Sequence, residues 1–413
     1  MLQLNIIPLF WRLHKMNKNK LQREGQKWVH DGIITEQQLN AILDNYVKRN
    51  PSYIFITFAV LFISIGVLLF IFSDWTLISN RIRVAIITVF MFSLYILGDY
   101  LYKSRTNAYG ISFIILGYVF FGATLFLITN LYQVSLINVW MFFIWSILGL
   151  LLFFIYKNPY LFAVGLLITI IGQIYSTLAF SSFHFLLFAV FIFGYFHFVF
   201  HERNPLSSYL FVIGFSIQMP FLVVVEDFQY YWLIILFFLP YVMAQFLKEN
   251  SLKSAFTYIS FLSIFIFKMY ESFLLQESYF VNEIKYNFLF FILWGLIWIS
   301  ILSIKWLKNN NLELIDLILF IPLFFLPNAY IFVLLSMFIF AIYWLFIGYQ
   351  QELHDKIIVG ITSFIFSTFT AYIQFAWETM NRSLFFVIGG ILLFLISYFF
   401  ERKRRLLEGS KSK

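Results

Sequence analysis

The sequence predicts an all-α protein, a bundle of about fourteen membrane-crossing helices with a small helical hairpin at its N-terminus. Of its 413 residues, 62% are hydrophobic and only 12% are charged, which is too little polar surface for a soluble globule. Apolar runs of about eighteen residues recur along the chain, and each can cross about 30 Å of hydrocarbon as a helix. Residues 55–72 are apolar on both faces, unlike the alternating strands of a membrane barrel.

Residues 1–50 form the only long polar region and are predicted to be a separate domain on the cytoplasmic side. The first residues, MLQLNIIPLFWRLHKM, place a short apolar patch before basic residues, which is the opposite order from a secretory signal. Two interpretations of this segment stay open. Either it lies along the membrane surface as an amphipathic arm, or Met16 is the true initiator.

Two short helices are predicted over residues 18–30 and 36–48. Thr35, followed three residues later by Gln38, has the pattern of a capping box at the start of the second helix. The residues that can form an apolar seam between the helices are Trp28, Ile33, Leu39 and Ile42. A hairpin of this size is too small to enclose a catalytic core. One hypothesis is therefore that residues 17–50 bind a cytoplasmic protein partner.

The transmembrane domain is predicted to cover residues 51–401, and a basic tail follows at residues 402–413. The connections between apolar runs are short, so neighbouring helices are expected to pack antiparallel. The predicted spans are residues 53–72, 83–102, 110–130, 138–156, 160–179, 183–200, 206–225, 230–247, 254–271, 286–304, 312–326, 329–348, 357–377 and 383–400.

The distribution of basic residues tests this number of spans. With the N-terminus inside, all but five of the 28 Lys and Arg residues fall in cytoplasmic segments, as expected for helical membrane proteins. The exceptions are Arg81, Arg83, Lys268, Lys285 and Arg382. A miscounted helix would reverse this bias downstream, and no reversal occurs, so both termini are predicted to be cytoplasmic. The net charge of +8 is attributed to these inner segments, and no nucleic-acid partner is predicted.

Polar residues between the first two predicted spans form a candidate outer site. Asp74, Arg81 and Arg83 lie there within a short connection. One interpretation is a loop salt bridge whose arginines reach lipid headgroups. The other is a contact for an anionic substrate or headgroup. An exposed ion pair contributes only about 0–1 kcal/mol to stability, so stability alone is a weak reason for the cluster.

Amide side chains in or at the ends of the predicted spans are the second group of candidate binding residues. They are Asn130, Gln133, Gln173, Gln218 and Gln245. Gln218 precedes Pro220 and Gln245 follows Pro240 within their spans, and a proline can free a backbone carbonyl toward a cavity. Transporters often bind substrates at such interruptions. The alternative is a simple helix kink with the amides hydrogen-bonded across helix interfaces.

Few ionisable residues lie inside the predicted spans. Asp99, Lys268 and Asp316 are each close to a span end and are predicted to reach a membrane interface. A proton pump is disfavoured because no ladder of carboxylates or histidines is present. His197 and His201 share a helix face but have no evident third ligand, and the chain has no cysteine. No metal ion or other cofactor is predicted.

Three stretches carry a resemblance to a known family: WVHDGIITEQQLNAIL, LLFIFSDWTLISNRIRV and GYVFFGATLFLITNLYQV. Over about residues 20–180 the chain resembles the DUF2157 family of bacterial membrane proteins. It departs from the family pattern at Ser73-Asp74-Trp75, where an Asn-Trp-Asp-like motif is expected. It also departs at Asn130 to Gln133, where a Gln-x-Tyr-His-like motif is expected. The resemblance implies a location in the bacterial cytoplasmic membrane and no particular activity.

Three hypotheses about function follow. The many spans, short loops and proline-interrupted helices favour transport or flipping of a lipid-linked or polar anionic substrate. A second hypothesis is an envelope scaffold or regulator that acts through the N-terminal hairpin, with membrane lipids as its other partners. A third is an intramembrane enzyme such as a glycosyltransferase. The enzyme is less favoured because Asp74 is a single carboxylate without an acid/base partner.

Overall fold

A computed structural model describes residues 18–44, 79–104, 107–131, 138–202, 204–247, 249–277, 284–307, 311–351 and 353–376, with isolated positions within 58–69 and 383–398. Every regular element in this part of the chain is helical. Two compact units can be separated, one within Met1–Asp74 and Ser93–Leu116, the other within Trp75–Phe92 and Gly117–Lys413. The predicted amphipathic arm, the basic tail and most of the first and last predicted spans lie outside the described residues.

The first unit contains two short N-terminal helices, α1 (Lys18–His30) and α2 (Glu36–Asp44). The Thr35 N–H donates to Gln38 Oε1 at 2.9 Å, and the Gln38 N–H donates to Thr35 Oγ1 at 3.3 Å. These reciprocal bonds satisfy two N–H groups that a helix start leaves without partners. The predicted capping box is confirmed.

The seam between α1 and α2 contains the predicted Trp28 and Leu39, and the Ile42 side chain lies outside the described residues. Leu39 and Leu43 are buried, and Trp28, Val29 and Ile34 pack against them. Ile33 is 61% exposed, so its assignment to the seam was wrong. The intervening Gly32 has a φ of +71°, and the left-handed turn that it makes directs Ile34 instead of Ile33 toward the helices.

Eleven further helices follow, and their bounds are α3 Asn80–Lys103, α4 Asn107–Leu131, α5 Asn138–Tyr156, α6 Pro159–Phe180, α7 Phe185–Ala189 continued through Val190–Tyr195 and Phe196–Glu202, α8 Pro205–Val225, α9 Trp232–Phe246, α10 Asn250–Leu274, α11 Phe288–Leu307, α12 Ala329–Gln350 and α13 His354–Ala376. Among the described residues, nine of these helices are long and apolar enough to cross a membrane, and α7 and α9 are shorter apolar helices.

Three predicted spans have an unexpected backbone. Helix α7 contains a π-helical segment over Val190–Tyr195. Helix α9 has 15 residues, which at 1.5 Å each extend about 22 Å. The predicted span 312–326 begins as a 3-10 helix over Asn311–Phe320 and becomes irregular before α12. Pro322 lies in this irregular stretch, and its missing N–H favours the interruption. Nine spans are therefore supported directly, and the number fourteen stays a prediction.

Two of the long helices begin with the same Asn-Pro signal. Asn158 accepts a hydrogen bond from the N–H of Tyr160 at the start of α6, and Asn204 accepts one from Leu206 at the start of α8. The following prolines occupy the first helical position, where the absent N–H removes no helical hydrogen bond. These starts are set by local sequence.

Helices α4 and α5 are joined by a reciprocal aromatic contact. Tyr118 Oη donates to the carbonyl of Trp145 at 2.9 Å, and Trp145 Nε1 donates to the carbonyl of Tyr118 at 2.9 Å. Gly149 lies against the Tyr118 ring, and a Cβ atom at that position would overlap Tyr118 Oη. Small residues at such crossings let membrane helices approach closely.

We expect Gly149→Ala to destabilise the protein by about 1–3 kcal/mol, because the added methyl group must displace a hydrogen-bonded, buried tyrosine. Gly295→Ala is the matched control, since a Cβ atom at Gly295 meets nothing within 4 Å. Titration of the detergent-solubilised protein with a denaturing detergent would measure both variants. Equal stability of the two variants would contradict the close packing at Gly149.

Aromatic side chains fill the core around α9, α10, α12 and the 3-10 helix. Phe238 stacks on Phe320 with a centroid distance of 4.3 Å, and Tyr231 stacks on Phe324 at 4.5 Å. Both contacts connect α9 or its start to the region of the 3-10 helix. These rings hold the interrupted segment in place, and the segment carries one side of the candidate site.

Candidate functional site

A polar pocket lies where the C-terminal ends of α9 and α12 meet the first turns of α10 and α13. Its volume is about 240 Å³, at the small end of ligand pockets. The lining residues are Tyr241, Gln245, Lys253, Ser254, Thr257, Tyr258, Asp316, Tyr343, Trp344, Ile347 and Lys356. Aromatic rings form much of the wall, and polar side chains come from five helical elements, α9, α10, the 3-10 helix, α12 and α13.

Asp316, on the 3-10 helix, anchors this pocket. Its Oδ1 accepts a hydrogen bond from Trp344 Nε1 at 2.8 Å, and its Oδ2 accepts one from Tyr241 Oη at 3.3 Å. Lys305 Nζ lies 3.6 Å from Oδ2 and 5.3 Å from the Tyr241 ring centroid. Asp316 and Lys305 are both buried. The prediction that Asp316 reaches a membrane interface was wrong, because three partners from other helices compensate its charge inside the protein.

Two further ammonium groups line the pocket without a compensating acid. Lys253 and Lys356 are half-buried, and among the described residues neither lies within 4.0 Å of a carboxylate. Lys356 Nζ contacts Gln351 Oε1 at 3.4 Å and lies 5.9 Å from a Trp344 ring centroid. Because Lys305 pairs with Asp316, Lys253 and Lys356 are left as the two cationic side chains of the lining that no lining carboxylate compensates.

The local backbone strengthens this positive potential. Lys253 lies in the first turn of α10 and Lys356 in the first turn of α13. The N-terminal end of a helix carries a partial positive charge and N–H groups without helical partners. The α10 start has no side-chain cap hydrogen bond. The arrangement thus combines ammonium groups and helix starts, which both favour an anion.

Neutral polar groups complete the lining. Gln245 is the one predicted amide that the structure brings to this pocket. Thr257 Oγ1 is buried and has no hydrogen-bond partner among the described residues. A hydroxyl in this state costs free energy unless a bound molecule or water pairs with it. The hydroxyl therefore fits a polar ligand.

The structure places two of the other predicted amides, Gln173 and Gln218, elsewhere. The Gln173 amide, in the orientation that pairs donors with acceptors, bonds the N–H of His184 at 3.0 Å and its carbonyl at 3.2 Å. Gln218 Nε2 donates to the Gly214 carbonyl of its own helix at 3.0 Å. Both side chains are fully buried. The Gln173 contact reaches the residue that begins α7, whereas the Gln218 contact stays within α8, and neither amide lines the polar pocket.

His184 itself caps helix α7. Its Nδ1 accepts a hydrogen bond from the Leu187 N–H at 3.1 Å, which requires the neutral ring. His184, Gln173 and the α7 start therefore form a structural unit.

The predicted outer site falls largely beyond the described residues. Asp74 and Gln133 lie outside them, and Asn130 is described only as a backbone position in α4. Arg81 is exposed and Arg83 is half-buried at the start of α3. The binding role of these residues stays a prediction.

A second buried ion pair lies near the other end of α10. Lys268 Nζ is 2.7 Å from Glu271 Oε2 and donates to the Ile321 carbonyl at 3.0 Å. Both side chains are completely buried. The prediction that Lys268 reaches an interface was wrong. Its ammonium group pairs with Glu271, one helical turn further along α10, and binds the carbonyl of Ile321, the residue before Pro322. Asp99, in contrast, is partly exposed and pairs with Lys103 at 2.6 Å, which fits its predicted interfacial position.

The residues that sequence reasoning missed are the pocket cations and the partners of Asp316. Lys253 and Lys356 were interpreted only as inner topology signals. Their spacing gives no sign that they meet, because they belong to different helices. Glu271 had a detectable signal, since it lies three residues after Lys268 on one helix face. His197 and His201 have ring centroids 4.1 Å apart, and the described residues contain no group of three metal-binding side chains.

In the comparison with known proteins, a family model matches the N-terminal third of the chain. Residues 26–162 match the model of a family described as predicted membrane protein DUF2157, which confirms the resemblance over that range. No curated protein and no solved structure matches the chain. The family match and the long apolar helices identify a membrane protein. The matched region ends before the polar pocket, so the family carries no information about its ligand.

Proposed function

We propose that this membrane protein binds a small anionic, polar molecule in the pocket between α9, α10, α12 and α13 and moves it across the membrane. The observation that carries the proposal is the excess of positive charge at Lys253 and Lys356. The ammonium groups suit a phosphate or carboxylate. The aromatic rings and the amide and hydroxyl groups suit a compact polar body. A sugar phosphate has both parts.

The proposal includes the predicted topology of fourteen spans with both termini in the cytoplasm of a bacterium. The first turns of α10 and α13, which carry Lys253 and Lys356, then lie on the cytoplasmic side, as the inner bias of basic residues requires. In this topology the polar pocket opens toward the cytoplasm. From that side the pocket is accessible both to a free solute and to the headgroup of a lipid-linked anion.

Topology is tested with reporters fused to Lys413. We expect a green fluorescent protein fusion to be fluorescent and an alkaline phosphatase fusion to be inactive, because the first folds in the bacterial cytoplasm and the second requires the oxidising periplasm. An active phosphatase at this terminus would overturn the even number of spans.

Ligand binding is tested with the purified full chain and three probes: glucose 6-phosphate, glucose and inorganic phosphate. We expect Lys253→Gln and Lys356→Gln each to weaken binding of glucose 6-phosphate about 10- to 100-fold, since each removes a hydrogen bond to a charged group. Binding should also weaken as salt concentration rises. Titration calorimetry measures both effects.

Lys285→Gln is the matched control, because Lys285 is an exposed lysine outside the pocket. Its binding should equal that of the unchanged protein. Uptake of radiolabelled glucose 6-phosphate into reconstituted vesicles then tests movement. Binding that is insensitive to both pocket substitutions would refute the site, and binding without uptake would refute transport.

An envelope scaffold is the alternative, and the exposed Ile33 favours it. An apolar side chain at the tip of the α1–α2 turn can contact a protein partner. A photo-crosslinking residue at position 33 should then capture one defined protein in cells, whereas the same residue at exposed Glu36 should not. Equal or absent crosslinking at both positions would count against the scaffold.

A further inference from the structure

A long apolar groove runs between α8, α9 and α10, in a different part of these helices from the polar pocket. Its volume is about 610 Å³. Along α8 it extends from Ile213 to Val224, and along α10 from Ile259 to Leu274. At 1.5 Å per residue, these walls are about 16 Å and 22 Å long. Leu233 and Phe237 of α9 form its floor.

We propose that this groove binds the hydrocarbon chain of a membrane lipid. Helices α8 and α10 are candidate membrane spans, so the groove opens on hydrocarbon when they are embedded. Its rim is apolar and exposed: Val224 is 73% exposed and Ile266 is 56% exposed. A hydrocarbon chain that lies in the groove would make close van der Waals contacts with both walls and the floor, whereas a lipid outside it contacts only the rim.

The two serines of the groove fit this occupant because they bond to each other. Ser263 Oγ donates to Ser216 Oγ at 2.8 Å and also lies 2.8 Å from the Ile259 carbonyl. These small side chains keep α8 and α10 close without presenting an unpaired hydroxyl to hydrocarbon. Pro220 on the α8 wall provides no N–H that would need a partner.

One end of the groove also fits a lipid headgroup. Tyr270, which is 59% exposed, lines the groove near the end of α10. Tyrosine is enriched where hydrocarbon meets lipid headgroups, because its ring is apolar and its hydroxyl is polar. The lipid headgroup would lie beside Tyr270, with the chain running toward Ile213 and Ile259. This site is separate from the anion pocket and does not depend on it.

The test uses the full chain in nanodiscs that contain a phosphatidylcholine with a photoreactive diazirine in one acyl chain. We expect labelling of Leu233 and Phe237, which are only 8% and 4% exposed. Lipids that merely surround the protein cannot reach the groove floor. Labelling at exposed Ile171 of α6 reports those surrounding lipids in the same sample.

Ile217→Trp places a large ring in the groove, and Ile171→Trp is its matched control on an exposed face away from it. We expect Ile217→Trp to reduce floor labelling roughly tenfold, the effect of displacing about two methylene groups. Ile171→Trp should leave floor labelling unchanged. Should Ile217→Trp fail to fold, the ratio of labelling at the groove floor to labelling at Ile171 in the unchanged protein still tests the proposal. Labelling at Ile171 without labelling of the floor, or crosslinks from the groove to a second protein chain, would overturn the proposal.

Discussion

Glu271→Ala should lower the free energy of unfolding by about 3–5 kcal/mol, the cost of breaking a buried ion pair by removing one partner. The substitution leaves the Lys268 ammonium completely buried, and within the described part of the chain only the Ile321 carbonyl stays within hydrogen-bond distance of it. The Glu271 carboxylate depends on this pair as well, because its other oxygen, Oε1, has no hydrogen-bond partner among the described residues. Burial in a membrane protein leaves the ammonium no nearby water as a replacement.

Denaturing-detergent titration of the purified protein measures this loss. Glu277→Ala is the matched control, since Glu277 is exposed just beyond the same helix, and it should change stability by no more than about 0.5 kcal/mol. The double variant Lys268→Met with Glu271→Leu removes both charges and should recover most of the stability. A loss below about 1 kcal/mol for Glu271→Ala would mean that this pair is solvated.

Asp316→Ala should cause a comparable loss of about 3–5 kcal/mol, because it removes the carboxylate that lies 3.6 Å from the buried Lys305 ammonium. It also removes the acceptor for the Trp344 and Tyr241 hydrogen bonds. Asp316 lies on the short 3-10 helix. The two hydrogen bonds connect this segment to α9 and α12, and the ion pair with Lys305 connects it to α11. The same denaturation experiment measures the loss, and tryptophan fluorescence should report the released Trp344 indole.

Asp99→Ala is the matched control for Asp316→Ala. It breaks the partly exposed pair with Lys103 and should cost only about 0–1 kcal/mol. Asp316→Asn separates the two roles of the carboxylate, since it keeps an acceptor for Trp344 and removes the charge. Equal effects of Asp99→Ala and Asp316→Ala would contradict the buried network.

The two buried pairs have different consequences for the proposed function. Asp316 lines the anion pocket, so Asp316→Asn should also change the charge balance there and strengthen the binding of an anion. The Lys268–Glu271 pair is absent from the pocket lining, and the pair-removing double variant should leave glucose 6-phosphate binding unchanged. These two variants distinguish a change in pocket charge from a general loss of folding.

The sequence predicted those structural features that depend on neighbouring residues. Apolar run length determined where the long helices occur, and the starts of α6 and α8 follow from their Asn-Pro signals. The capping box at Thr35 and Gln38 was predictable for the same reason. Backbone irregularity was harder to predict, because the π segment in α7 and the 3-10 helix before Pro322 depend on packing against other helices.

By itself, the sequence determined that this is a helical membrane protein, because hydrophobic composition and span length act through each segment separately. Only the tertiary structure decided where its charges lie. Lys305, Asp316 and Trp344 belong to three elements, and their meeting converts an acid expected at the interface into a buried anchor. Lys253 and Lys356 likewise become one positive pocket only when α10 and α13 pack together. The physical reason is that ionic and hydrogen-bond energies depend on distance and burial, which distant parts of the chain set jointly.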